Sequence, residues 1–283
     1  MTYYVYCFTQ FSEINLNLII NFCHVFIVFI EVNVSHLSPM PFSPLLIEQQ
    51  DKAWRQFSQQ YPSATEHLPP KRLAQFKQAI ALSDFILRSA SQAPELVIEL
   101  FNSEQLLAKN TPNYQALLAH QVEKCTTEEQ LHRCLRNFRL VQMVDIAVGD
   151  FLLNISLDES LKRLSLLADS LIIIANQWLT TFCQNKWGVP VNAAGEAQSL
   201  LVYGMGKLGG QELNFSSDID LIFVYPESGE TQGVRRSIDN QLFFTRLGQK
   251  LITALNQQTA DGFVYRVDMR LRPVGESGPL VLS

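Results

Sequence analysis

The sequence predicts an α+β protein, with a helical N-terminal region followed by a mixed sheet with flanking helices. Three observations carry that expectation. Residues 45–187 show helical signals nearly throughout, strand-length apolar runs begin only after residue 195, and Gly188 and Pro190 fall between the two as a helix terminator. The boundaries expected are a foreign-looking extension over 1–39, a helical region over 40–195 and a mixed core over 196–283.

Composition bounds the possibilities. The chain has 283 residues, 47% hydrophobic and 17% charged, which suits one large or two modest globular domains. A formal net charge of −5 supplies no basic surface to favour nucleic acid. Cys7, Cys23, Cys125, Cys134 and Cys183 are odd in number and form no CxxC pair, which suits neither a disulfide framework nor a zinc site. They read as reduced thiols of a cytoplasmic protein. The histidines are dispersed, and His132 reads as a surface or core residue rather than a ligand.

The first 39 residues differ from the rest. Leu18 to Ile30 is an apolar run of 13 residues, whereas a membrane span needs ~20. No Lys or Arg precedes Lys52, so the charged start of a secretory signal is missing. No membrane association is expected, and residues 1–39 are expected to come from a start codon placed too far upstream of Met40.

Turn signals at Ser58–Pro70, Ser91–Pro94 and Lys109–Asn113 divide the following region into several helices. Thr127 with Gln130, and Ser156 with Glu159, have the spacing of a capping box, in which each side chain satisfies the other's free backbone N–H. After the second cap, Leu157, Leu161, Leu164, Leu167, Leu171, Ile174, Trp178 and Phe182 recur every three or four residues, a stripe that must be buried. Glycine suits a left-handed cap and proline cannot continue a helix, so this helix ends at Gly188–Pro190.

Beyond residue 195, Leu200–Tyr203 reads as a strand that feeds a glycine-rich turn, and Asp218–Tyr225 reads as the next strand. A helix of at most two turns, about Leu208–Leu213, fits between them. A longer helix is expected over Ser237–Gln258, with Leu242, Phe243, Leu247, Leu251 and Leu255 on one face. After Asp261-Gly262 the chain alternates. Phe263, Tyr265, Val267, Met269 and Leu271 are expected on one face of a strand, with Val264, Arg266, Asp268, Arg270 and Arg272 on the other.

Two carboxylates one residue apart on a strand point to the same face, so Asp218 and Asp220 can chelate a hard divalent cation. Asp268 among arginines adds a carboxylate to complete the ion's shell and guanidinium groups to clamp phosphate oxygens. The bland reading of that face is a solvated surface of Arg–Asp pairs. Gly204-Met205-Gly206-Lys207-Leu208-Gly209 also fits the dinucleotide pattern GxGxxG, with Glu227 about where a ribose-binding acid would lie. That reading fails because only eight residues separate Gly209 from Asp218, too few for a crossover helix. No GxxxxGK[ST] is present either, so metal-assisted chemistry on a nucleotide phosphate leads.

A strand, glycine turn, short helix, Asp-x-Asp strand and distant third Asp resemble the nucleotidyltransferase fold of the polymerase-β type. The segments from Gly204 to Phe223 and from Val264 to Val281 are similar to those of the glutamine synthetase adenylyltransferase/adenylyl-removing family, and Gly195-Glu196-Ala197-Gln198 before the first strand adds to the likeness. The Ser216-Ser217-Asp218-Ile219-Asp220 and Arg266-Val267-Asp268-Met269-Arg270 forms look like the N-terminal, adenylyl-removing copy.

The resemblance implies that Asp218, Asp220 and Asp268 are catalytic and hold Mg²⁺, two ions being expected. It implies that Gly206, Lys207, Ser217, Arg270 and Arg272 hold phosphates. The substrate implied is the adenylylated tyrosine of glutamine synthetase, from which inorganic phosphate removes AMP as ADP, while a second domain of the longer chain uses ATP to attach it. A nitrogen-signalling regulatory protein is implied through regions beyond this chain, whose end at Gly278–Ser283 reads as another strand and suggests a truncated product. Two other readings are an inactive fragment that only docks on glutamine synthetase, and a nucleotidyltransferase with another acceptor.

Overall fold

The computed structural model describes residues 44–107, 110–260, 262–271 and 278–283. The expected extension over 1–39 and the candidate Arg272 lie outside the described residues. Helices come first: α1 (Pro44–Gln60), α2 (Pro70–Leu82), α3 (Asp84–Gln92), α4 (Pro94–Asn102), α5 (Tyr114–Val122), α6 (Glu128–Leu152) and α7 (Leu157–Trp187). Then follow β1 (Val189–Asn192), β2 (Leu201–Met205), the single turn α8 (Gly206–Gly209), β3 (Ile219–Val224), β4 (Gly229–Gln232), α9 (Asn240–Asn256), β5 (Val267–Asp268) and β6 (Val281–Leu282). The α+β class expected from the sequence is the one observed.

Helix starts follow local chemistry. The side chains of Ser83, Asn113, Thr127, Ser156 and Asp239 each accept a hydrogen bond from a backbone N–H in the first turn of the helix they cap. The two capping boxes are half formed. Gln130 Oε1 accepts from Thr126 N at 2.7 Å rather than from Thr127 N, and Glu159 turns to Thr111 and to Arg163 Nε, 2.8 Å away. Glu159 is diverted because a charged guanidinium is the stronger donor.

Two hydrophobic clusters organise the chain, and α6 contributes to both. Phe57, Phe76 and Phe101 pack edge to face, at 5.0 and 5.1 Å between ring centres, and with Ile80, Ile86 and Val97 bury α1–α4 against Val144, Ala147 and Val148 of α6. Leu131, Leu135 and Phe138 of the same helix join Leu164, Leu167 and Leu171 of α7, Leu221 and Phe223 of β3, and Phe243, Phe244 and Leu247 of α9. That second cluster is continuous from α5 to β6, so the sheet rests directly on the long helices. Helix α7 is long and apolar enough to cross a membrane by length and composition, but 61% of its most apolar window is buried within the fold.

In the main sheet β2 runs antiparallel to β3, with Met205 opposite Asp220, and β5 runs parallel to the other edge of β3, with Asp220 opposite Asp268. β6 continues along that edge, Phe223 facing Val281. A smaller antiparallel pair, β1 with β4, was not foreseen, since Gly229–Gln232 is polar and carries no strand signal.

The alternating strand expected over 263–272 is corrected, because among the described residues of that span only Val267 and Asp268 pair as a strand. Val264 and Tyr265 are both buried, because their N–H groups both donate to Leu255 O at 3.0 and 2.8 Å, which sets the chain against α9 before it reaches the sheet. Leu271 is exposed. The short helix begins and ends earlier than expected, at Gly206–Gly209. Leu157 and Leu242 lie on exposed surfaces, and Phe244 is buried where Leu242 was expected.

Burial lifts the Asp145 carboxyl on α6 from the ordinary 3.8 to about 6, against the opposing pull of Arg163. A carboxyl with a raised folded pKa keeps its proton in the folded chain where the unfolded chain has lost it. Its stabilising contribution is therefore full below about 4 and declines as pH rises through about 6. Relative to Asp145→Asn, the native chain should lose on the order of 2–3 kcal/mol of unfolding free energy between pH ~4 and ~7. Urea titrations across that range check this, and a difference that does not vary with pH would contradict it.

Candidate functional site

The glycine turn is held in place by α7. Gly206 has φ +55°, and its N-terminal neighbour Met205 closes the ladder opposite Asp220. A Cβ on Gly206 would lie 2.8 Å from Asp220 Oδ2, so glycine is required here by both backbone and space. Gly209 is constrained by space alone, since its Cβ would meet Gly204 O at 2.6 Å. Downstream, Leu213 N donates to Ser165 Oγ at 3.1 Å and Gln211 Nε2 to Asp169 Oδ2 at 3.1 Å, which ties the loop after the turn to the long helix. Sequence reasoning missed both anchors. Their signal was two polar residues, i and i+4, on a helix otherwise marked for burial.

The sheet then sets the carboxylates. Parallel register puts Asp220 beside Asp268, and both line an open cleft of about 320 Å³ together with Arg270 and Leu271. Asp218 stands just before β3, exposed, with its Oδ1 accepting from Arg266 Nε at 2.7 Å. Arg266 Nη2 is 2.7 Å from the same oxygen and also donates to Ser216 O at 3.1 Å. Asp268 is gripped by Arg270, whose Nε lies 3.1 and 2.8 Å from the two carboxylate oxygens and whose backbone N–H donates at 2.9 Å.

Electrostatics distinguish the acids. Partial burial, then the negative charges of Asp268 and Asp218, push the Asp220 carboxyl above the ordinary carboxylate range, with Arg270 opposing. The Arg270 side chain and backbone donors hold Asp268 below it. Crowded carboxylates of this kind suit a hard divalent cation, which relieves their repulsion and takes oxygen donors. The donor chemistry therefore fits Mg²⁺. The arrangement is not a preformed cage, however, because among the described residues no three ligating side chains converge on one point. Asp218 is turned to Arg266, and Arg266 was not singled out in the sequence as its partner.

Of the phosphate candidates, Lys207 Nζ is 3.4 Å from Ser217 Oγ, which in turn donates to Asn214 Oδ1 at 2.7 Å. Lys207, Ser217 and Gly206 thus lie at one end of the β2–β3 ladder, beside Asp220, and Arg270 on the far side at Asp268. His132 is buried on α6, and burial lowers its pKa.

The family profile described as "Glutamate-ammonia ligase adenylyltransferase" matches residues 73–283. Relatives named "Bifunctional glutamine synthetase adenylyltransferase/adenylyl-removing enzyme" are similar over most of the chain. That of Shewanella woodyi is 45% identical over 250 residues, 88% of this chain and 26% of its own length. That of Shewanella oneidensis is 47% identical over 241 residues, 85% of this chain and 25% of its own. That of Vibrio parahaemolyticus is 54% identical over 215 residues, 76% and 23% respectively. The chain therefore spans about a quarter of the length of the curated relatives it matches. With the glycine turn and paired-acid strand lying inside the matched residues, the chain belongs to the glutamate-ammonia ligase adenylyltransferase family.

Proposed function

We propose that the chain carries the adenylyl-removing reaction of this family, a metal-dependent phosphorolysis that releases AMP from an adenylylated tyrosine of glutamine synthetase as ADP. The observation that supports it most is the register of Asp220 against Asp268 at the cleft, with Asp218 two residues away. In the reaction a phosphate oxygen bonds to the α-phosphorus, the bond to the tyrosyl oxygen breaks, and that oxygen takes up the proton that the attacking phosphate gives up. A leaving group with a pKa near 10 makes this practicable.

Asp218, Asp220 and Asp268 would hold the divalent ions, two being expected. Bound there, the ions would neutralise charge on the transferred phosphoryl group and on the departing oxygen. Gly206 would leave room for a phosphate to approach the backbone, and Lys207 and the Ser217 hydroxyl would pair with it, since the Ser217 amide already donates to Asn214 O at 3.2 Å. Arg270 would offer a forked donor to phosphate oxygens, and Arg272, which lies outside the described residues, is the other candidate. Adenylylation from ATP would belong to another domain of the longer protein, as would the response to a nitrogen-signalling protein. The free thiols of Cys125, Cys134 and Cys183 accord with a cytoplasmic setting. Neither nucleic acid nor a membrane has a place in this reading.

Incubating the chain with adenylylated glutamine synthetase, Mg²⁺ and phosphate should yield ADP, and Asp220→Asn should lower the rate by about 10²–10³-fold, the scale for losing a group that stabilises charge in the transition state. Binding of the synthetase with no ADP formed would instead favour the docking-fragment reading. In the longer protein, Asp218→Asn should abolish deadenylylation and spare adenylylation, whereas loss of adenylylation alone would mean that the halves are exchanged. Gly206→Ala should lower the rate at least tenfold, because the added methyl group displaces Asp220, and the left-handed backbone should also cost about 1 kcal/mol, read as a fall of about 2–4 °C in melting temperature. Wild-type turnover by Gly206→Ala would sink that assignment.

A further inference from the structure

The two arginines at the site hold the carboxylates that the proposed reaction assigns to metal. Arg266 and Arg270 flank Asp268 at equal distance in sequence, and each closes on a different acid, Arg266 on Asp218 and Arg270 on Asp268. The guanidiniums lie at the surface, their side chains 62% and 77% exposed, whereas the Asp268 carboxylate is only 17% exposed and faces the cleft beside Asp220. In the Arg270–Asp268 pair the guanidinium is thus on the solvent side and the carboxylate on the site side, whereas in the other pair both Arg266 and Asp218, 53% exposed, meet solvent.

We propose that Arg266 and Arg270 are exchangeable counter-cations, each guanidinium giving up its carboxylate when a divalent ion binds and turning to the phosphates of the nucleotide. The inference rests on the preceding functional reading and adds to it an exchange at two residues, of which Arg266 was read in the sequence only as one of the arginines around Asp268. Three features support it. With Asp218 and Asp268 both engaged, no three acids among the described residues converge, so a three-carboxylate site requires at least one pair to open. The Arg266–Asp218 pair, exposed on both sides, is weak and screened by salt, so a doubly charged ion can displace it most readily, while the bidentate Arg270–Asp268 pair is the firmer of the two. A guanidinium released there keeps the fork geometry that matches phosphate oxygens, and Arg266 stays close through Ser216 O to the turn carrying Ser217.

The exchange makes metal and nucleotide binding mutually reinforcing, because the ion frees the group that the phosphates then engage. Mn²⁺ and ADP serve as probes, titrated calorimetrically against the full chain as wild type and as Arg266→Gln. Wild type should bind Mn²⁺, and Arg266→Gln should bind it about two- to five-fold more tightly, the range expected from removing one exposed pair. The factor by which Mn²⁺ strengthens ADP binding should fall at least two-fold in the variant. Arg270→Gln gives a second arm read at Asp268, and circular dichroism confirms that both variants fold. Unchanged or weaker Mn²⁺ binding in the variants would overturn the exchange. So would tighter Mn²⁺ binding with undiminished ADP coupling, because that is merely the field of a missing charge. Failure of wild type itself to bind Mn²⁺ would instead overturn the functional reading beneath it.

Discussion

The parallel pairing of β3 with β5 is the constraint on which the site depends. It is short, joining only Ile219 to Val267 and Asp220 to Asp268, so the ladder alone cannot fix the third carboxylate. The remaining hold comes from outside the sheet. Ile219 N donates to Arg266 O, Val267 N donates to Asn256 Oδ1, and the N–H groups of Val264 and Tyr265 both end on Leu255 O at the close of α9. Burial of Val264 and Tyr265 pins the approach to β5, with the Arg139 guanidinium of α6 lying 5.2 Å from the Tyr265 ring centre. Asp268 is thus positioned by helices from both halves of the chain.

The helical region is therefore part of the site's support. Ser165 and Asp169 of α7 fix the segment after the glycine turn, and α6 braces the approach to β5. Side chains at a reactive centre must be held within a fraction of an ångström, and strands resting on long packed helices provide that better than loops do. The turn itself stays free of side chains at Gly206, where a methyl group would collide with Asp220. The rigid scaffold and the exposed arginine pairs are complementary, since the backbone is fixed while the charged side chains can change partners.

Features set by short-range chemistry were legible in the sequence. The caps at Thr127 and Ser156, the end of α7 at Gly188 with φ +86°, the glycine turn and the apolar stripe of α7 follow from residues within a few positions of one another. What escaped depended on partners distant in sequence. The alternation from Phe263 to Arg272 suggested a long strand, but Leu255 O captures two N–H groups and only two residues remain to pair. Arg266 was visible as a charge on one face, yet its closure on Asp218, 48 positions away, is set by the fold. The polar strand β4 forms because β1 offers it an edge, not because its own residues favour extension.

The central claim is that Asp218, Asp220 and Asp268 together receive divalent metal once the arginines move aside. Anomalous diffraction at the manganese edge, from crystals of the chain grown with Mn²⁺ and ADP, tests it most directly. The expected result is manganese held by Asp218, Asp220 and Asp268, with Asp218 turned away from Arg266. Manganese bound elsewhere, or Asp218 and Asp268 still held by Arg266 and Arg270 at saturating Mn²⁺, would contradict it.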